Sequence, residues 1–383
     1  MTWQTKKLRE VCDLVKGKKP TVFVSKSNKP YLTAKVVRKT EEPKFASEKC
    51  PSSVWVKKED IIIIMDGSNS GEMFTGLEGA LASTMGIVKY QKDLLNPKYL
   101  LHFLITHREN FTKSRTGSAI PHLNKEEFEN LEISFPPLPE QRRIVKILDE
   151  VFEGIAKAKA NAEKNLQNSK ELFDLSLRNI LDNSRKKWGV KLLGELCERV
   201  EYGSSSKSKK AGRVPVLRMG NIQNGKLNWD DLKYSNDKQE IEKYLLKYND
   251  VLFNRTNSPE LVGKTAIYKN EMPAIFAGYL IRIHRKEKLL DADYLNYFLN
   301  SNEAKEHGNS VVISSVNQAN INGQKLKNYP IPAPPLVDQK SIVKKLDALS
   351  AETKKLEANY RQKLADLEEL KKSVLKKAFN GEL

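Results

Sequence analysis

The sequence predicts an α+β protein built as a tandem pseudo-repeat, in which two similar mixed α/β globules are joined by two long helices forming an antiparallel coiled coil. Three observations carry that expectation. Residues 136–150 (PPLPEQRRIVKILDE) and 334–349 (PPLVDQKSIVKKLDAL) are two copies of one proline-initiated helix start, and self-similarity of this kind fixes architecture before any local pattern does. The apolar residues that follow recur at the same steps in both copies. The blocks ahead of each helix also match, although the spacing between them drifts.

Each copy sets a proline pair just before the helix, where a missing N–H and a fixed φ cost little, and an acid in the first turn (Glu140, Asp338), where the helix dipole favours it. The second copy then places Ile342, Leu346, Leu349, Thr353, Leu356, Tyr360, Lys363, Leu367, Leu370 and Val374 on a heptad seam. The first copy has Ile144, Leu148, Val151, Ile155, Ala158, Ala162, Asn165, Ser169, Leu172 and Ser176 at the same steps. Ile342 follows Ile144 by 198 residues and Val374 follows Ser176 by 198, so neither helix has gained or lost a residue. An insertion would rotate the apolar stripe out of the seam, and equal lengths therefore predict that the helices pack on each other. Antiparallel pairing brings the small Ala158 and Ala162 near the bulky Leu364 and Tyr360, as core filling requires.

The 383 residues suffice for about two to three domains. A net charge of +18 and a pI near 9.5 point to an acidic partner, nucleic acid before an anionic membrane. No apolar run reaches the length of a membrane span, and residues 61–65 have the length of a buried strand. The N-terminus lacks an apolar signal core, and three cysteines offer no disulfide framework. A cytoplasmic, reduced location is expected.

In chain order, residues 3–15 (WQTKKLREVCDLV) match 188–200 (WGVKLLGELCERV), with Leu8 over Leu193 and Cys12 over Cys197. Both cysteines are expected on the apolar stripe of a short helix, as core residues. Lysine-rich loops follow at 16–19 and 204–213. Residues 60–66 (DIIIIMD) align with 250–256 (DVLFNRT) as buried strands running into the polar turns 67–71 and 257–263. Further strands are expected within 80–90 and 274–284, and amphipathic helices at 96–106 and 291–301. Polar loops at 115–124 and 310–322 lead to each proline pair. The displacement between copies grows from 185 at Trp3/Trp188 to 190 at Asp60/Asp250 and 195 at Tyr99/Tyr294, so the globules vary in length where the helices do not. Loops 20–57 and 204–247 share little beyond polarity.

Residues 258–265 (SPELVGKT) approach a phosphate-cradling loop, but Ser258 stands where its first glycine belongs and the following AIYKNEMPA does not open a helix. There is no adenine-methylation tetrapeptide, residues 96–99 being NPKY, and no glycine-rich cofactor loop. The five histidines pair with no cysteine at metal-ligand spacing. No catalytic or metal site is expected. What remains are polar loops whose arginine and asparagine suit base edges and whose lysine and serine suit phosphates. The candidates are Lys16, Lys18, Lys19, Ser68, Asn69 and Arg115 in the first globule. In the second they are Lys207, Lys209, Lys210, Arg213, Asn254, Arg255, Asn257 and Gln318, and ordinary turn chemistry uses the same residue types.

With these residues in view, the chain resembles the specificity subunit of a type I restriction-modification system. The matching stretches are 136–148, 334–346, 253–268 (FNRTNSPELVGKTAIY) and 371–383 (KKSVLKKAFNGEL), within a likeness that runs through essentially the whole chain. The resemblance implies a non-catalytic DNA-recognition subunit with target-recognition domains at 1–138 and 184–336. A central helix (139–183) and a distal helix (337–383) would act as a ruler between the halves of an asymmetric, split double-stranded DNA target. It also implies two methyltransferase subunits carrying S-adenosylmethionine, and restriction subunits using ATP and Mg2+, with no cofactor on this chain and no membrane. A helix of roughly 42 residues is about 63 Å long at about 1.5 Å per residue, and half-sites one turn apart, roughly 34 Å, would share one face of the duplex. The competing expectation is a coiled-coil scaffold whose globules bind proteins. It requires salt-insensitive binding, whereas DNA affinity falls steeply with salt.

Overall fold

The computed structural model describes residues 2–25, 29–50, 53–112, 122–259, 261–315 and 318–383. Two compact units divide the chain, Met1–Ala162 with Gln362–Leu383, and Glu163–Arg361. Both boundaries fall inside long helices, Leu138–Trp188 of 51 residues and Leu336–Phe379 of 44.

In the first unit, strand Gln4–Lys7 pairs with Glu132–Phe135, the strand that feeds the long helix. A one-turn helix, Leu8–Val11, leads into Cys12–Lys16, the edge of a four-stranded sheet continued by Met85–Tyr90, Ile61–Ile64 and Met73–Phe74. All four isoleucines of Ile61–Ile64 are buried. Side chains alternate across a sheet, and here both faces are covered. Ile61 and Ile63 pack with Tyr99, Leu100 and Ile144, while Ile62 and Ile64 pack with Leu32, Val56 and Leu81. That double burial explains an apolar run without alternation.

The second unit repeats the plan. Val190–Leu192 pairs with Pro330–Pro332, and Cys197–Tyr202, Leu280–Arg285, Val251–Asn254 and Thr265–Ile267 form the equivalent sheet in the same order. The registers superpose: Ile61 faces Val88 as Val251 faces Ile283. A bulge between Cys197 and Arg199 adds one residue to the second copy, so Val15 corresponds to Glu201 and Lys16 to Tyr202. Each edge strand then runs into a glycine, Gly17 or Gly203, where an added Cβ would lie 2.2 Å from the carbonyl oxygen of Ala82 or Phe276. Only a residue without a Cβ permits that approach. The cysteines differ from expectation, since the short helices end at Val11 and Leu196 and Cys12 and Cys197 open strands. Burial pushes the Cys12 thiol up to about 12 and raises that of Cys197.

Each long helix begins at the same polar clamp. Gln141 is fully buried; its Oε1 accepts from Asn96 N at 2.8 Å, and its Nε2 donates to Leu94 O at 2.7 Å and Pro136 O at 2.8 Å. Gln339 accepts from Asp291 N and donates to Leu289 O and Pro334 O, each at 2.8 Å. One side chain thereby joins the proline pair to the start of the helix Pro97–Thr106 or Ala292–Leu299, whose N-caps are Asn96 and Asp291. A phenol adds to each clamp, Tyr99 donating to Ser134 O and Tyr294 to Pro332 O, both at 2.9 Å. The first long helix ends at Gly189, whose φ of +74° no β-carbon favours and whose N–H donates to Arg185 O.

Helix pairing is antiparallel within each unit. In the first, Ile144, Val145 and Leu148 share a core with Leu375 and Ala378, Lys159 pairs with Glu368 at 2.7 Å, and Arg143 donates to Leu383 O at 2.6 Å. Ala158 and Leu364 are both half-buried. In the second, Leu177 and Leu181 pack with Leu346. Ile155 and Ala162 are buried, and Val151, Leu349, Tyr360 and Leu367 are half-buried. Leu356 and Leu370 differ from expectation, at 37% and 47% exposed, as does Leu172 at 45%, with Phe173 packed on the core beside it. A straight helix drifts from a strict seven-residue repeat, so one step of four in place of three moves the buried line past these leucines. Near that step Thr353 is buried with its hydroxyl donated to Leu349 O.

Replacing Gln141 by alanine strands three buried main-chain groups, at a cost of roughly 2–4 kcal/mol. Hydrogen exchange is expected to quicken at Asn96 and the first turn after it, with the amide of Asp291 unchanged; Gln339→Ala should give the reverse pattern.

Candidate nucleic-acid interface

The candidates of the first unit cluster where the edge strand leaves the sheet. Lys16 is the last residue of its strand, exposed, with Nζ 3.4 Å from the Asp66 carboxylate, and Lys18 and Lys19 are exposed just beyond it. Ser68 is exposed and Asn69 half-buried in the turn after Ile61–Ile64. Arg115 lies outside the described residues. Asp66 also meets His122, carboxylate to Nδ1 at 2.9 Å. Neither Asp66 nor His122 carries a motif that sequence alone could single out.

In the second unit, Lys207, Lys209, Lys210 and Arg213 are all exposed. They lie along one edge: Lys209 bridges to Tyr234 of strand Lys233–Ser235, and the backbone N–H of Arg213 donates to the Asn236 carboxamide at 2.9 Å. The loop that carries them is therefore pinned to a sheet while its cationic ends face solvent. The three base-reading candidates around 255 separate. Asn254 is 0% exposed, in the slot that Ile64 fills in the first unit, with Nδ2 donating to Leu261 O at 3.1 Å; that side chain is closed to a base edge. Arg255 is half-buried, its guanidinium 4.9 Å from the centre of the Tyr202 ring. Its Nη1 donates to Gly278 O at 3.2 Å and its Nη2 points at Asn320 Oδ1, 3.4 Å away. Asn257 is half-buried and accepts from the Ser258 N–H through its Oδ1, as turn asparagines do. Gln318 opens strand Gln318–Asn320. Tyr202 and Asn320, like Asp66 and His122, become visible only when the sheet brings distant segments together.

Next to Tyr202 in the chain, Glu201 belongs to a charge cluster around the buried Arg282 that the first unit lacks. Arg282 donates to Glu201 at 2.6 and 2.9 Å and to Asp250 at 3.1 Å, and His284 meets Glu201 at 2.9 Å. Val15 and Ile87 occupy the places of Glu201 and Arg282 in the first unit. Burial opposes ionisation of Glu201, and the hydrogen bonds from His284 and Arg282 outweigh it, holding the carboxyl below its ordinary value. The stabilisation is therefore present above the ordinary carboxyl value of 4.5 and lost as pH falls through the depressed folded value. Among the described residues no group of three or more His, Cys, Asp or Glu side chains is gathered to hold a metal, and no helix is long and apolar enough to cross a membrane.

The sequence matches the type I restriction modification DNA specificity domain over residues 1–165 and 185–366. It is 29% identical over 405 residues to the type I restriction enzyme MjaVIII specificity subunit of Methanocaldococcus jannaschii, covering 100% of this chain and 93% of that protein. To the EcoKI specificity subunit of Escherichia coli it is 26% identical, over 86% of this chain and 75% of the relative. In fold it is similar to a chain from a study of complex assembly in the type I R-M system, with a TM-score of 0.79, 19% identity and coverage of 100% and 98%. It is also similar to the HsdS subunit of Thermoanaerobacter tengcongensis, with a TM-score of 0.62, 19% identity and coverage of 100% and 97%.

Glu201→Gln is expected to destabilise the second unit by roughly 2–3 kcal/mol at neutral pH, less than a fully stranded buried charge costs because Asp250 still meets Arg282. The acid-dependent part of the unfolding curve should flatten with it. Glu201→Val combined with Arg282→Ile installs the pair of the first unit and should be more stable than either single change, which urea unfolding at neutral and acid pH would measure.

The match along both halves of the sequence, on a framework built twice, makes this chain a member of the type I restriction-modification DNA specificity family.

Proposed function

We propose that the chain is the non-catalytic, DNA-reading subunit of a type I restriction-modification complex, with recognition domains at 1–138 and 184–336 each reading one half of an asymmetric split target. The helices at 139–183 and 337–383 connect them. The observation that carries this is the difference between the two copies. The same strands, glycine and glutamine clamp recur in each unit, while the exposed groups at the strand ends differ, on a chain of net charge +18. A repeated frame with unlike polar ends suits two modules that read different bases. The exposed Lys16, Lys18, Lys19, Lys207, Lys209, Lys210 and Arg213 suit phosphates, and Ser68, Asn69, Arg255 and Asn257, which follow the strands Ile61–Ile64 and Val251–Asn254, suit base edges. Two methyltransferase subunits carrying S-adenosylmethionine and restriction subunits using ATP and Mg2+ would supply the chemistry, in the cytoplasm. Methylation needs the adenine outside the stack, and this subunit's part is to hold the duplex in place.

Sequencing methylated adenines in DNA modified by this chain with its methyltransferase subunits should give a bipartite motif. Replacing residues 204–247 by the corresponding loops of a relative should change one half only. A protein-binding scaffold would give no motif. Removing the charges of Lys207, Lys209 and Lys210 together should weaken DNA binding and reduce the slope of log affinity against log salt by about 2–3, since each lost phosphate contact contributes about 0.9.

A further inference from the structure

We propose that each unit sets specificity through a polar cluster at one equivalent place: Lys16, Asp66 and His122 in the first unit, and Tyr202, Arg255 and Asn320 in the second. This rests on the DNA-recognition function proposed above. The equivalence is structural. Lys16 and Tyr202 are the residues just before the two close-packed glycines. The N–H of Leu123 donates to Met65 O at 2.8 Å, and that of Ile321 donates to Arg255 O at 2.9 Å. Asp66 bridges His122 as Thr256 pairs with Asn320.

Several polar side chains that support the fold are alike in the two units, although the Glu201–Arg282 pair has no counterpart in the first. Asp60 and Asp250 both close a turn by accepting from Lys57 N or Lys247 N, Asn124 and Asn322 both cap a helix, and Gln141 and Gln339 make the same three bonds. The clusters differ in every chemical group. One holds an acid between a lysine and a histidine, and the other an arginine between a tyrosine ring and a carboxamide. They also reach solvent, with the side chains of Lys16 and His122 56% and 55% exposed and Tyr202 42% exposed.

Each cluster is held before any ligand arrives, which lowers the ordering cost of recognition. Asp66 contacts both Lys16 and His122. Arg255 is fixed by the Tyr202 ring and the Gly278 carbonyl, while its Nε is buried with no hydrogen-bond partner among the described residues. Asn320 donates to Thr256 Oγ1 at 3.1 Å, which aims its carboxamide. Planar guanidinium and carboxamide groups, a carboxylate and cationic donors are the groups that distinguish base pairs in the major groove of double-stranded DNA. The ligand of each cluster is a base edge in one half of the target.

The experiment maps methylated sites in DNA modified by the whole complex containing His122→Ala, Asp66→Asn or Arg255→Lys, the last keeping charge while losing the fork. Changes at 66 and 122 should raise methylation at sites with a wrong base in one half by roughly 10-fold or more, with the other half as stringent as before. Arg255→Lys should do so in the opposite half. Unaltered motifs in all three variants, or an equal loss of methylation at every site without relaxed bases, would overturn the assignment while leaving the subunit a DNA reader. A parent complex with no bipartite motif would overturn both. Hydrogen-exchange protection at Asn96 and Asp291 identifies any variant that has lost its fold, and for the second unit Asn320→Ala then replaces Arg255→Lys.

Discussion

Each half of the molecule depends on one buried glutamine. Gln141 and Gln339 have no exposure to spare, and each closes three main-chain bonds that no backbone partner satisfies. The bonds tie the proline pair, the end of a loop and the N-terminus of a packed helix into one joint, from which a long helix departs in a fixed direction. Unpaired, these groups would cost more than a glutamine side chain loses in freedom. The joint therefore explains why the two helix starts are the most alike stretches of the sequence. Framework that must set a direction tolerates little change, while the strand ends beyond the sheets are free to differ.

Much of the architecture was legible because it rests on periodicity and repetition. The constant displacement of the helix starts reflected the paired clamps, and the continuous run at Ile61–Ile64 reflected a sheet covered on both faces. The rest depends on single residues. One bulge at Cys197 to Arg199 shifts the correspondence so that Lys16 meets Tyr202, and no composition or spacing rule announces a bulge. Asn254 looked like a base reader because asparagine next to arginine suits a base edge, yet its strand position faces the core, as Ile64 does. Leu356 and Leu370 looked like seam residues on a strict heptad, and an ordinary helix turns past them.

The candidate site was only partly legible for a related reason. Lysine-rich loops are visible as composition, and in the structure Lys16, Lys18, Lys19, Lys207, Lys209, Lys210 and Arg213 are exposed. The contacts that organise the strand ends span long separations in sequence: Asp66 with Lys16 and His122, and Arg255 with Tyr202 and Asn320. Such contacts exist only once the sheet has formed, so the residues that shape the two sites are those a linear pattern cannot gather. The Glu201–Arg282–Asp250 cluster is a further case, taking the place of a plain apolar pair in the other copy.

If one frame, used twice, carries two different readers, exchanging modules should exchange what is read. The most direct test replaces residues 190–332 with residues 5–134, which are their counterparts in register, and maps the adenines methylated by the resulting complex. The expected result is a split target built from two copies of the half-sequence read by the first unit. Retention of the parent's asymmetric motif, or modification without a split motif by a folded complex, would contradict it.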